Sequence, residues 1–289
     1  MQTSAWKPET SRSVLLATDL SSRCDRALDR SMSLARHWGA RLVVLTVVEP
    51  DARRDVEPSP AHRRISAYNQ LRRDLAHAEL AVEVVVREGD VSEQVSAVAA
   101  ECGCSLIVTG TARNELFGRV LLGSTVERLS RTSRLPLLTV HRRVHGPYAR
   151  VVVASDFSAS SQHALDTIIE MIPEIRPIVF HAFDVPFLGM IDTQRDEVMA
   201  RGQAEATSAA QEFVRDAGHP SLPVVVAHGD PAERLREYAD IHDTDLIVIA
   251  SHGRSALYKV LIGSVATRIL EIAPCDTLLV PEPQARAGR

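Results

Sequence analysis

The chain repeats itself over the length of a whole domain. VLLATDLSSRCDRAL (Val14–Leu28) returns as VVVASDFSASSQHAL (Val151–Leu165), and VVVREGD (Val84–Asp90) returns as VVVAHGD (Val224–Asp230). LLGSTVERL (Leu121–Leu129) returns as LIGSVATRI (Leu261–Ile269). Gly89 and Gly229, Gly123 and Gly263, and Val140 and Val280 are each 140 positions apart; Asp19 and Asp156 are 137 apart. A period this long excludes a solenoid, whose units recur about every 20–50 residues. A chain of 289 residues can hold two ordinary cores. The two domains are expected at residues 10–141 and 149–283. The polar Gly-Pro stretch RRVHGPY (Arg142–Tyr148) lies between them as the linker.

Within each copy, short apolar runs alternate with helical patterns. Strands are expected near Val14–Thr18, Leu42–Val48, Val82–Arg87, Ser105–Thr109 and Leu137–His141. The second copy places them near Arg150–Ser155, Ile178–Phe183, Val224–His228, Leu246–Ala250 and Thr277–Pro281. Most are apolar throughout, as strands covered on both faces are. Regular β-α alternation implies an α/β fold: two tandem, doubly wound, five-stranded parallel sheets with right-handed crossovers. Ligands of such sheets bind beyond the carboxyl ends of the strands, where strand order reverses. That places Asp19 and Asp156, each at the end of a first strand, beside the loop that follows each fourth strand. A carboxylate there can accept hydrogen bonds from a ribose or an adenine amino group. It can equally start the next helix through an Asp-x-Ser turn, in DLS and DFS.

The loop in the second copy runs from Ala250 through Ser251, His252, Gly253 and Arg254 to Gly263-Ser264-Val265, where a new helical pattern begins. Strand, glycine loop and helix N-terminus together aim backbone N–H groups and a positive dipole end at one point, which suits a phosphate. Glycine at 253 permits a positive φ, and at 263 it lets a phosphate approach the backbone. Ser264 can cap the helix or donate its hydroxyl.

This stretch resembles the nucleotide loop of the universal stress protein family, G-x2-G-x9-G-[S/T], with Ala250 in place of the first glycine. SHGRS (Ser251–Ser255) and IGSVA (Ile262–Ala266) carry the likeness, which extends over residues 12 to 283. It implies a Rossmann-like fold of the adenine nucleotide α-hydrolase type. It also implies an ATP site in each half, with Mg²⁺ on the phosphates. Ala154, Ser155 and Asp156 would line the second-half site, with Ala182 or Phe183 meeting the base through the backbone. Ala17, Thr18, Asp19 and Val47 would do the same in the first half. The first-half loop has Gly110, Thr111, Gly123, Ser124 and Thr125 in place, but Arg113 stands where the pattern has its second glycine. A positive φ at Arg113 costs about 1 kcal/mol. The second half is therefore expected to bind ATP more tightly, although a contact from Arg113 to phosphate would oppose that ranking. The family's last strands pair across two domains, so the halves would form an internal pseudo-dimer, with a homodimer of whole chains left open.

Other signals carry less. The loop Gly118–Thr125 has Ser124 where a P-loop needs its lysine, which argues against a P-loop NTPase. His163, His181, His228, His242 and His252 show no zinc spacing, and Cys102 and Cys104 lack a second ligand pair, so no protein metal ligands are assigned. Arg53, Arg54, Arg63, Arg64, Arg72 and Arg73 interleave with acids as a solvated face does. A net charge of −4 gives no global attraction to nucleic acid or an anionic membrane. No apolar run reaches the roughly 18 residues of a membrane span. The first 13 residues lack a signal-peptide core, and the four cysteines lack framework spacing, so a cytoplasmic setting is expected. Three functions fit the chain. One is an ATP-binding stress-response protein that reports nucleotide state. Another is a slow ATP-hydrolysing or α-phosphate-transferring enzyme, although no HxGH or SGGxDS motif occurs. The third is a nucleotide-free interaction scaffold.

Overall fold

Each half builds its own five-stranded parallel sheet in this computed structural model, which describes residues 12–48, 60–75, 79–111, 114–116, 119–121, 123–185, 195–252 and 262–282. The first half contains β1 (Ser13–Ala17), α1 (Asp25–Trp38), β2 (Arg41–Val48), α2 (Pro60–Asp74), β3 (Val82–Glu88), α3 (Val91–Glu101) and β4 (Leu106–Gly110). It continues with β5 (Asn114–Leu116), β6 (Arg119–Leu121), α4 (Ser124–Thr132) and β7 (Leu137–Val140). The second half contains β8 (Val151–Ala154), α5 (Ala159–Met171), β9 (Ile178–Phe183), α6 (Arg195–Asp216), β10 (Val224–His228), α7 (Pro231–Ile241), β11 (Leu246–Ala250), α8 (Ser264–Ile272) and β12 (Asp276–Val280).

Strand order is β3–β2–β1–β4–β7 in the first half and β10–β9–β8–β11–β12 in the second, with every pairing parallel. The chain winds outward from β1 in one direction, then returns to add β4 and β7 on the other side. The expected doubly wound sheet is therefore present in each half. β5 and β6 pair antiparallel outside the sheet, within the glycine loop, and were not foreseen from the sequence. Their three-residue runs are too short to show a periodicity.

The cores are apolar strands under helices. Leu15, Leu16, Val44, Val108 and Leu106 are sealed in the first half, and Val153, Ile247, Val248, Leu165 and Ile168 in the second. Helix ends follow local chemistry. Gly39 ends α1 with φ 59°, a left-handed geometry that glycine adopts without strain. Asp90 and Asp230 cap α3 and α7, each accepting from the N–H of the third helical residue (Glu93 at 3.1 Å, Glu233 at 3.0 Å). The preceding Gly89 and Gly229 take φ of 122° and 125°, so the repeated Gly-Asp pair is a backbone requirement.

The boundary between two compact units falls between Pro147 and Tyr148. Residues on both sides are held to their own unit. Arg26 donates to the His141 carbonyl at 2.8 Å and Arg30 to the Gly146 carbonyl at 2.9 Å. The Tyr148 hydroxyl donates to the buried Asp276 carboxylate at 2.7 Å. Leu165→Ala should lower the unfolding free energy by about 2–5 kcal/mol, because the side chain is fully enclosed and its removal leaves a cavity. Urea denaturation followed by circular dichroism measures this; a loss below about 1 kcal/mol would mean that the site collapses.

Candidate functional site

A short polar motif shapes the mouth of each cleft. After β1, the Thr18 hydroxyl accepts from the Leu20 N–H at 3.0 Å and the Asp19 carboxylate accepts from the Ser21 N–H at 2.9 Å. After β8, the Ser155 hydroxyl accepts from the Phe157 N–H at 3.0 Å and Asp156 accepts from the Ser158 N–H at 3.1 Å. Between these bonds Leu20 and Phe157 are forced to φ of 62° and 61°. The Asp-x-Ser turn is thus formed in both halves. Two side chains in succession hold a non-glycine residue in a conformation that costs about 1–2 kcal/mol.

The same turn positions both carboxylates at a cleft over the ends of the central strands. In the first half the cleft is walled by Ala17, Thr18 and Asp19 after β1, and by Leu45 and Val47 on β2. Thr109 and Gly110 end β4, Thr111 follows it, and Gly123, Ser124 and Thr125 start α4. In the second half Ala154, Ser155 and Asp156 meet Phe180, His181 and Ala182 on β9. Ala250 ends β11, Ser251 and His252 follow it, and Gly263, Ser264 and Val265 start α8. Cavity volumes are about 320 Å³ and 180 Å³; the first reaches the lower end of the roughly 300–1,000 Å³ of small-molecule sites, and the second is smaller. Most residues singled out from the sequence are brought together. Phe183 is placed elsewhere, against the His228 ring at 5.5 Å, while Ala182 takes the cleft position. Arg113, Gly253 and Arg254 lie outside the described residues.

The helix starts differ from expectation in one respect. The N-caps of α4 and α8 are Gly123 and Gly263, with no side-chain cap, so Ser124 and Ser264 are the first helical residues rather than caps. The Gly263 N–H is used, donating to the Ser251 carbonyl at 3.0 Å. Phosphate approach at this point would therefore engage the first-turn N–H groups that follow, which have no intrahelical partner. In contrast, α3, α5 and α7 are capped by Asp90, Ser158 and Asp230. Helices α4 and α8 lack the side-chain caps that those three possess, and the capped starts of α3 and α7, at Val91 and Pro231, border the same clefts.

Sequence reasoning passed over several wall residues. Leu45 and Phe180 precede Val47 and Ala182 by two, so strand alternation alone puts them on the same face. Cys24 and Ser161 each follow the turn aspartate by five, one helical turn in. Ser161 shares a 3.0 Å hydrogen bond with Ser155, and the Cys24 thiol donates to Asp19 at 3.2 Å. His181 Nδ1 lies 2.8 Å from the Ser155 carbonyl; since a carbonyl only accepts, Nδ1 carries the proton. His252 Nδ1 lies 2.9 Å from the Ser251 hydroxyl. The other four histidines of the second half are dispersed: His163 is buried on α5, His219 lies 3.9 Å from Asp166, His228 packs on Phe183, and His242 stacks on Tyr238 at 4.2 Å. Among the described residues no group of three or more His, Cys, Asp or Glu side chains is placed to hold a metal.

The universal stress protein family model matches residues 10–141 and again 147–281. The chain belongs to the universal stress protein family. A universal stress protein of Methanocaldococcus jannaschii is 27% identical over 156 residues, covering 51% of this chain and 91% of that protein. One from Mycolicibacterium smegmatis is 27% identical over 214 residues, covering 70% of this chain and 69% of that protein. Two solved structures share the fold. A functionally unknown protein from Pseudomonas aeruginosa PAO1 superposes with TM-score 0.71 at 19% identity, covering 95% of this chain and 94% of that one. A universal stress protein from Archaeoglobus fulgidus superposes with TM-score 0.64 at 18% identity, covering 94% and 98%. This universal stress protein therefore carries the family domain twice, each copy with its own cleft.

Electrostatics favour a charged Asp19. Burial pushes its carboxyl up, but hydrogen bonds from the Ser21 hydroxyl (2.6 Å), the Ser21 N–H and the Cys24 thiol outweigh this and hold its pKa below the ordinary value. Burial pushes the Cys24 thiol up, so it remains a protonated donor. A depressed folded pKa stabilises the native state above the unfolded carboxylate pKa of about 4, and that stability is lost as pH falls through the folded value. Asp19→Ala should therefore destabilise the protein at pH 7, and the gap from wild type should shrink as pH falls from about 5 to below the folded pKa. Thermal melts across that range check this; a gap that widens toward low pH would refute the sign.

Proposed function

We propose that this protein binds ATP in each half, with Mg²⁺ on the phosphates, and that it reports nucleotide state. The observation that carries the reading is the pairing, in one cleft, of an uncapped helix start with a turn-held aspartate on the facing wall. An unsatisfied helix N-terminus attracts anionic oxygens through its first-turn N–H groups and its dipole. The phosphates belong there, beside Gly123-Ser124-Thr125 and Gly263-Ser264-Val265. The base belongs at the opposite wall. Val47 and Ala182 offer backbone groups at strand ends, and Asp19 and Asp156 offer an acceptor for the adenine amino group. His252, on the loop and in the cleft lining, would serve a phosphate oxygen. Mg²⁺ would be held by the phosphates and water, which suits an ion that takes few protein ligands. The domains are residues 10–141 and 149–283, arranged as an internal pseudo-dimer, and the setting is cytoplasmic.

Gly263→Val tests the phosphate position. Among the described residues a Cβ at 263 would meet the Ser251 carbonyl oxygen alone, at 3.9 Å, and φ there is −59°, so these neighbours leave room for it. The Val side chain should nonetheless screen the first-turn N–H groups. Calorimetric titration with Mg-ATP should show one of two sites lost, and Gly123→Val should remove the other. Unchanged binding in both folded variants would place the phosphate elsewhere. Mass spectrometry of ligand carried through native purification separates the alternatives: intact ATP supports binding, conversion to AMP supports an α-phosphate enzyme, and an empty protein supports a scaffold.

A further inference from the structure

The two halves share a backbone at the cleft mouth but not its side chains. In the first half a side groove of about 360 Å³ opens off the cleft, and Asp19 and Val47 line both spaces. Leu20, Thr46 and Val48 line it on one side, and His62, Arg63, Ser66, Ala67 and Gln70 of α2 line it on the other, with the Gln70 amide donating to the Leu20 carbonyl at 3.3 Å. Strand register identifies the matching positions in the second half. Ala17 pairs with Leu45 and Ala154 with Phe180, so Thr46 corresponds to His181. The common turn makes Leu20 correspond to Phe157. At these positions the second half is filled. The Phe157 and His181 rings stack with centroids 4.1 Å apart, and Phe157 packs on Phe213 of α6 at 5.5 Å. Helix α6 also lies hard against the end of β9, because a Cβ at Gly202 would come within 3.1 Å of Phe183 and of Val185.

We propose that the side groove is an extension of the base site, present in the first half and closed in the second. On this assignment the first half accepts purine nucleotides enlarged at the 6-amino position, and the second half admits only the unsubstituted base. The inference rests on the nucleotide reading above, which puts the base between Asp19 and Val47. Both residues border the groove, so a substituent on the amino group points into it. A singly substituted amino group keeps one N–H for the Asp19 carboxylate, so the key hydrogen bond survives. Groove walls of His62, Arg63, Ser66 and Gln70 beside Leu20 and Ala67 suit a polar or aromatic substituent, with the Arg63 guanidinium able to lie against a ring.

The test uses the full chain with one site disabled at a time, and ATP and N6-benzyl-ATP as probes. In the Gly263→Val chain, where the first half remains, the two ligands should bind within about threefold of each other by calorimetry. In the Gly123→Val chain N6-benzyl-ATP should bind at least about tenfold more weakly than ATP. Exchanging the mouth residues should move the discrimination. Leu20→Phe in the Gly263→Val chain places an aromatic ring on a backbone that already holds one in the other half, and should impose a tenfold penalty on the benzyl ligand. Phe157→Leu with His181→Thr in the Gly123→Val chain should relieve it. Discrimination that is equal in the two halves, or unmoved by either exchange, overturns the groove assignment while ATP binding stands. Failure of ATP itself to bind either half overturns the nucleotide reading and this inference with it.

Discussion

Parallel strands covered by helices on both faces leave one place where the backbone opens. It lies where neighbouring strands send their connections to opposite sides of the sheet. In this chain that happens between β1 and β4, and again between β8 and β11. Everything at the candidate sites stands on that reversal. The turn after the first strand and the loop after the fourth diverge from adjacent strand ends, so a gap remains between them. The helix that follows the loop starts at the rim of the gap and cannot be capped from within it without filling it.

The turn after each first strand is the more demanding part. It holds a leucine in one half and a phenylalanine in the other at a positive φ, a region that such residues rarely visit. Two side-chain acceptors supply the compensation, Thr18 with Asp19 and Ser155 with Asp156. Strain of this kind persists where the surroundings over-determine the backbone, and it commonly marks a functional wall. The aspartates thus have two duties. One carboxylate oxygen shapes the turn, and the depressed pKa of Asp19 keeps a negative acceptor at the cleft.

Duplication has preserved the backbone and released the side chains. Cys24 stands where the other half has Ser161, Thr109 where it has Ile249, and Thr46 where it has His181. The first-half cleft is the roomier, about 320 Å³ against about 180 Å³, and Thr109 gives it a hydroxyl where the second half has the apolar Ile249. One geometry with two linings gives a single chain two sites of different tolerance, which a simple doubling of capacity would not require.

The repeat offset, the apolar strands and the alternation with helices were legible in the linear sequence, because burial on both sheet faces leaves an unmistakable apolar run. The turn aspartates and the glycine at each late helix were legible too, since their chemistry is local. What the sequence left open depended on neighbours brought from afar. Whether Ala182 or Phe183 faced the cleft turned on strand register. Ser264 read as a cap from its residue type, yet the N-cap is the glycine one residue earlier and the serine is the first helical residue, which only the backbone angles decide. The ring cluster of Phe157, His181 and Phe213 joins a loop, a strand and a helix spread over 56 positions of sequence. No spacing rule announces such a meeting; packing in three dimensions closes one groove and leaves its counterpart open.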